Sequence, residues 1–230
     1  MSLLFLSTLT RELQLYVPKF PLRDFLSLIF WVDFERSVPA AFSMLLLLLG
    51  SILVAQVALA RRARGGALWR WWLLGALFLY AGFDEYLGLH ERASRYVAGV
   101  VDATGLLYYP WVLPGTSAAL VVAILMARLV LEFPRPIRRL AVCSGVLYLG
   151  GALGVEMLGA AANERYGADS VWYDSVWYLF FTSVEEAMEM FGAVLWNHAM
   201  LRYLSEFLGG AAIVIPAVSG MGTDRDDQCR

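Results

Sequence analysis

Long apolar runs alternate with short charged connections along this chain. The runs are about 20 residues long, the length that crosses a hydrocarbon core, and they predict helices at about 39–60, 67–90, 111–132, 140–163 and 175–203. Helices are expected because only they satisfy every backbone group within a single segment in lipid. The pattern therefore predicts an all-α protein, a polytopic transmembrane helix bundle with about five spans.

The predicted spans divide the chain into three regions. Residues 1–38 are interpreted as an extracytoplasmic, interfacial segment. Within it, the apolar core of RDFLSLIFWVDFER (23–36) is too short to cross and predicts a helix lying at the outer surface. Residues 39–204 form the transmembrane bundle. Residues 205–230 hold a short apolar stretch, broken by Gly and Pro and followed by charges, which indicates a flexible cytoplasmic tail.

The arginines set the expected orientation. Residues 61–70 carry four and residues 133–139 carry three, whereas the loops 91–110 and 164–174 together carry three among several acids. Because cytoplasmic loops are enriched in positive residues, the N-terminus is predicted outside and the C-terminus in the cytoplasm. The use of one lysine beside seventeen arginines, with abundant Ala, Gly and Leu, favours a bacterial inner membrane.

Composition narrows the function classes. The 230 residues are 60% hydrophobic and 17% charged, with a net charge of −2. The arginines lie between apolar runs and form no stripe, so a nucleic-acid partner is set aside. Cys143 lies in an apolar segment and Cys229 in the tail, without CxxC spacing, so neither a disulfide nor a thiolate metal site is supported.

Acidic residues interrupt two of the predicted spans near their middle. The stretch TSVEEAMEMFGAVLWNHAM (182–200) holds Glu185, Glu186 and Glu189. At 100° per residue, these three fall within about 100° of one another, on one face of the helix. Glu156 lies in the fourth span on a strip of small residues that includes Gly145, a pattern that lets another helix approach closely. These carboxylates are therefore expected to point into helix contacts.

The second predicted span ends in FDEYLGLHER, with Asp84, Glu85 and His90. Glu85 and His90 diverge from the face of Asp84 unless the helix loosens at Gly88, a residue that tolerates such a change. At ~1.5 Å per residue, Asp84 and Glu156 lie roughly 8–10 Å below the outer boundary. Three helices are therefore expected to bring acids to similar depths in the outer half of the bilayer.

The six acids in the predicted spans have almost no basic residue to balance their charge. Each ionised acid near a helix centre costs about 2.5–3.5 kcal/mol, so six unpaired acids would cost roughly 15 kcal/mol. The spans offer almost no basic partner at this depth. Protons, trapped water or a cation must therefore neutralise the group. The six acids are Asp84, Glu85, Glu156, Glu185, Glu186 and Glu189.

A carboxylate-rich site with one or two imidazoles suits a divalent metal cation, namely Zn, Mn, Fe or Ca. Glu-x-x-His pairs, which are typical of di-iron bundles, do not occur. Two alternatives stay open: protonated acids that hold the helices together, and proton transfer without a metal. The predicted metal ligands are Asp84, Glu85, His90, Glu156, Glu185, Glu186 and Glu189.

The pairing of DE-x4-HE (84–91) with EE-x2-E (185–189) resembles an uncharacterised group of bacterial multipass membrane proteins. The resemblance covers the second to the fifth predicted span and brings no known activity. Ceramidase-like membrane hydrolases bind zinc through several histidines. This chain, with His90 and His198 only, departs from that pattern.

Three function classes follow. One is a metal-dependent membrane enzyme acting on a lipid or isoprenoid from the outer leaflet. Another is an accessory or structural subunit, docking into a larger membrane complex or a homo-oligomer through its interfacial helix and aromatic belts. The third is a proton or cation pathway, disfavoured because the inner halves of the spans have few polar residues. The sequence favours a cation site that opens to the outer face, with membrane lipids as partners; it assigns no catalytic residue.

Overall fold

The computed structural model describes residues 2–16, 22–62, 68–98, 104–166 and 169–209. Within these ranges every regular element is helical, which confirms the all-α class. The helices are α1 (Ser2–Tyr16), α2 (Arg23–Phe30), α3 (Val38–Arg62), α4 (Trp69–Leu87), α5 (Leu89–Val97), α6 (Val112–Glu132), α7 (Arg135–Leu149), α8 (Glu156–Tyr166), α9 (Asp169–Tyr173) and α10 (Val176–Arg202). A 3₁₀ turn (Gly105–Leu107) and two π-helical turns (Gly150–Val155 and Tyr203–Phe207) complete the described elements.

Three segments of the described chain are long and apolar enough to cross a membrane. They are α3, α6 and the continuous helical stretch Arg135–Tyr166, which joins α7 and α8 through the first π turn. Helices α4 and α10 occupy the places of the two other predicted spans, and acidic residues interrupt both of them. A membrane protein is therefore supported, while the number of five spans and the orientation stay predictions.

The apolar core lies at one end of the bundle. Helix α3 packs along α4, and α10 packs against α3, α7 and the first π turn. The core joins Val54 and Val57 of α3 to Trp71 of α4, Leu129 of α6 and Met200 of α10. This is the end that the arginine pattern predicts to be cytoplasmic, so the opposite ends of the same helices are left for polar side chains.

Close helix contacts depend on two glycines. A Cβ atom on Gly151 would lie 2.8 Å from the Glu185 carbonyl oxygen, and one on Gly192 would lie 2.8 Å from the Tyr148 backbone nitrogen. By contrast, a Cβ on Gly145 would meet nothing within 4 Å. The small-residue strip was predicted to hold Gly145, Ala152, Gly159, Ala160 and Asn163; of these, Gly159, Ala160 and Asn163 are buried. Gly145 lies outside the contact, because the π turn inserts a residue and rotates the preceding helix relative to Glu156.

The N-terminal segment is more structured than the sequence indicated. Helix α1 was not predicted, and α2 ends at Phe30, before the end of the predicted stretch 23–36. The backbone nitrogen of Val32 donates to Ser7 Oγ over 3.1 Å, which ties the chain after α2 to α1. The interfacial position of this segment stays a prediction, and residues 210–230 of the predicted tail lie outside the described residues.

Candidate functional site

All seven predicted site residues line one cavity of 260 Å³, here called the acid cavity. Its walls come from the residues before and at the start of α3, the end of α4, the start of α5, the start of α6, the end of α7 with the first π turn, the start of α8 and the middle of α10. Three further carboxylates join the six predicted acids: Asp33, Glu35 and Glu91. Segments that are far apart along the chain therefore place nine carboxyl groups around one cavity.

A left-handed glycine brings Asp84 and His90 together. Helix α4 ends at Gly88, which has φ 58°, and α5 begins at the next residue. The Asp84 carboxylate accepts the backbone N–H of His90 over 2.9 Å, and it lies 2.9 Å from Nδ1 of the same residue. The helix thus breaks at Gly88, which is the condition under which His90 can join the face of Asp84. A Cβ on Gly88 would lie 1.2 Å from Glu35 Oε1, so Glu35 occupies space that only glycine leaves open.

Glu156 is held by an aromatic donor and lies beside a second acid. The indole N–H of Trp111 donates to Glu156 Oε1 over 3.1 Å, and the His90 ring packs on Trp111 with centroids 4.6 Å apart. Glu185 lies beside Glu156. Two neighbouring carboxylates repel each other unless a proton or a cation lies between them.

Glu186 and Glu189 differ from the other predicted acids. Glu189 is 9% exposed, and within the described part of the chain its carboxylate makes no hydrogen bond. Glu186 Oε2 is fully buried and also lacks a hydrogen-bond partner among those residues. Leaving a buried acceptor unsatisfied costs about 1–3 kcal/mol, and more when it is charged. The two groups therefore need a proton or a bound cation.

Asp33, Glu35 and Glu91 were missed by sequence reasoning. The Tyr178 hydroxyl donates to Asp33 Oδ2, joining the turn before α3 to α10. Asp33 is exposed overall and lines both cavities, and desolvation of its carboxyl by the surrounding protein raises the pKa of that group to about 7. Glu91 lies beside Glu35. The sequence features that could have indicated these residues are the two acids that flank Phe34 and the glutamate that directly follows His90.

The acid cavity is not a formed coordination shell. Across the residues that the structure describes, no three His, Cys, Asp or Glu side chains converge closely enough to hold a metal ion. The predicted ligands therefore surround a shared space without the spacing of a bound metal. Their role as ligands stays a prediction.

A second cavity of 570 Å³, here called the aromatic chamber, adjoins the first. The two share Asp33, Glu91, Trp111, Glu156 and Glu185 in their walls. The two cavities are therefore neighbours, and these side chains belong to the walls of both. Its aromatic lining includes Tyr108, Tyr109, Trp111, Trp172, Tyr173 and Tyr178.

Together these features define a class of protein: an all-helical bundle, with helices able to cross a membrane, that encloses an acid-lined cavity. A family model described as a domain of unknown function (DUF8692) matches residues 2–203, and the chain belongs to this family. The match includes every residue of both cavities. No curated protein and no solved structure matches the chain.

Proposed function

We propose that this is an integral membrane protein whose acid cavity binds a cation in the outer half of the bilayer. The observation that carries the proposal is the state of two acids at the cavity wall: Glu186 Oε2 and the Glu189 side chain are buried, and neither has a hydrogen-bond partner in the described chain. Among the described residues that line this cavity, His90 is the only basic one. A cation would offset these charges directly.

The proposed cation is a divalent metal, Zn, Mn, Fe or Ca, because the donors are carboxylates and one imidazole. Glu186, Glu189 and Glu156 are the proposed central ligands, with Asp84 or Glu85 approaching from α4. The side chains must draw together on binding, since no metal-ligand group exists among the described residues. A metal here would serve as a Lewis acid or water activator for a lipid or isoprenoid substrate.

Proton handling is the second candidate function, and two pairs of neighbouring acids favour it. Glu156 lies beside Glu185, and Glu35 lies beside Glu91, so a shared proton would relieve the repulsion within each pair. A pathway through the whole bilayer is disfavoured, because the opposite end of the bundle is filled by the apolar core.

Metal analysis of the purified full chain in detergent tests the proposal. The wild-type protein should hold a stoichiometric divalent metal, and the Glu186→Gln/Glu189→Gln variant should lose it, since Gln keeps the shape of the side chain but removes the ligand charge. A Glu132→Gln/Glu206→Gln variant is the matched control. It removes two carboxylates that pair with arginines outside the cavity, and it should keep the metal.

A chelator separates a metal from protons. It should lower the melting temperature of the wild type and of the control variant, because a ligand that binds only the folded state stabilises it. The Glu186→Gln/Glu189→Gln variant should not respond. A wild type without metal, together with a fully stable double variant, would instead assign the cluster to structure or proton handling.

A further inference from the structure

The aromatic chamber has walls that suit an organic cation. The rings of Tyr173 and Tyr178 have centroids 4.9 Å apart and planes at 89°, and those of Trp172 and Tyr178 are 5.8 Å apart at 66°. Rings that meet at steep angles form a corner whose faces and edges point in different directions. Alkylammonium groups are bound in such aromatic corners through cation–π attraction.

Charged side chains of both signs line the chamber. Its carboxyl groups are Asp33, Glu91, Glu156 and Glu185, all shared with the acid cavity. Arg95 is the only Lys or Arg among the described residues that line the chamber, and it is exposed. The lining therefore offers carboxyl groups to a positive group and one guanidinium to a negative group.

A hydroxyl also lines this space. Thr182 lies in the chamber wall and makes no hydrogen bond to another described residue. A hydroxyl can both donate and accept, so water or a polar group of a ligand in the chamber can serve as its partner.

We propose that the aromatic chamber binds a zwitterionic phosphoalkylammonium group, the headgroup chemistry of phosphocholine. Its ammonium lies against the Tyr173 and Tyr178 corner, facing the acids, and its phosphate pairs with Arg95. A bare metal ion would gain little from ring faces, whereas an alkylammonium group is weakly hydrated and gains from them. The proposal rests on the proposed function in one respect: it names the lipid class that would reach the acid cavity.

Isothermal titration calorimetry of the full chain in a maltoside detergent tests this binding. The probes are phosphocholine and its carbon isostere 3,3-dimethylbutyl phosphate, which has the same shape and phosphate but no positive charge. Phosphocholine should bind and the isostere should bind about threefold to thirtyfold more weakly, the range of a cation–π contact. Equal binding of the two probes, or no binding of phosphocholine, would overturn the proposal.

Two variant pairs assign the contacts. Tyr173→Phe keeps the ring and should bind phosphocholine like the wild type, whereas Tyr173→Leu should bind it about threefold to thirtyfold more weakly. Arg95→Gln should weaken the binding of phosphocholine about twofold to fivefold and leave the binding of choline unchanged. Arg92→Gln, whose position does not line the chamber, should change neither ligand. Unchanged phosphocholine binding in Tyr173→Leu or in Arg95→Gln would contradict the placement.

The same titration distinguishes the source of the headgroup. If dihexanoyl phosphatidylcholine binds more tightly than free phosphocholine, the ligand is a lipid; if both bind equally, the soluble headgroup suffices. Both results support the chemistry proposed here. Failure is also separable from failure of the metal proposal, because Glu186→Gln/Glu189→Gln alters the acid cavity alone and neither residue lines the chamber.

Discussion

Single residues divide the acids of the cavity into two groups. Asp84 is held by the backbone and ring of His90, and Glu156 by Trp111. Glu186 and Glu189 have no such donor in the described chain. The fold supplies hydrogen-bond donors to the first group, so the second group is the one that the proposed cation would neutralise.

Gly88 is the residue on which this arrangement depends most directly. Gly88→Ala should destabilise the protein because it adds strain at φ 58° and places a Cβ 1.2 Å from Glu35 Oε1. Gly105→Ala is the matched control, since Gly105 has φ 60° and nothing lies within 4 Å of its would-be Cβ. Thermal denaturation in detergent should show a larger loss for Gly88→Ala. Equal losses would mean that Glu35 does not require this space.

Asp33 gives a pH dependence with a definite sign. Its pKa is raised from 3.8 to about 7, so its protonated form is favoured in the folded state. Its contribution to stability is fully present below pH 3.8 and is lost as the pH rises towards about 7. The carboxyl group faces cavities, so contact with water will reduce the size of this effect.

Asp33→Asn isolates that effect, because Asn cannot ionise and can still accept from Tyr178. The melting temperature of the variant minus that of the wild type should be larger at pH 8 than at pH 5. Glu132→Gln, at an exposed ion pair, should give a difference that changes little with pH. A pH-independent difference for Asp33→Asn would show that Asp33 does not titrate in this range.

The helices place these residues on the faces that line the acid cavity, and the sequence predicted part of this arrangement. A period of 100° per residue placed Glu185, Glu186 and Glu189 on one face of α10, and all three line the acid cavity. The π turn Gly150–Val155 was not predictable from that period, because it adds a residue without a composition signal. Gly151 is therefore the glycine that lies against Glu185 of α10, whereas nothing lies within 4 Å of a Cβ on Gly145.

Gly192→Ala tests how closely α7 and α10 must approach. Its Cβ would lie 2.8 Å from the Tyr148 nitrogen and 3.0 Å from the Ser144 carbonyl oxygen, both backbone atoms that cannot rotate away. The variant should lose stability and separate the two helices. Gly145→Ala meets nothing within 4 Å and should be neutral or stabilising by up to about 1 kcal/mol, since Ala favours helix. The reverse order in thermal denaturation would contradict this helix contact.

The whole molecule joins segments that no local pattern connects. Matched depth from the predicted boundary was sufficient to expect Asp84, Glu156 and Glu186 near one another, and they share a cavity. The place of Asp33 in the wall of the acid cavity was not predictable, because it depends on α1 and α2 placing a turn against Tyr178 of α10. The distribution of polar and apolar side chains then gives the bundle one acid-lined end and one apolar end.

Anomalous X-ray diffraction from crystals of the full chain grown with Mn²⁺ or Zn²⁺ tests the central claim most directly, because it locates the ion. The expected result is one anomalous peak in the acid cavity, with carboxylate oxygens of Glu186, Glu189 and Glu156 drawn to about 2.0–2.2 Å from it. Crystals with no peak there, and with the same acids hydrogen-bonded to one another, would contradict a cation site and leave the carboxyl groups neutralised by protons.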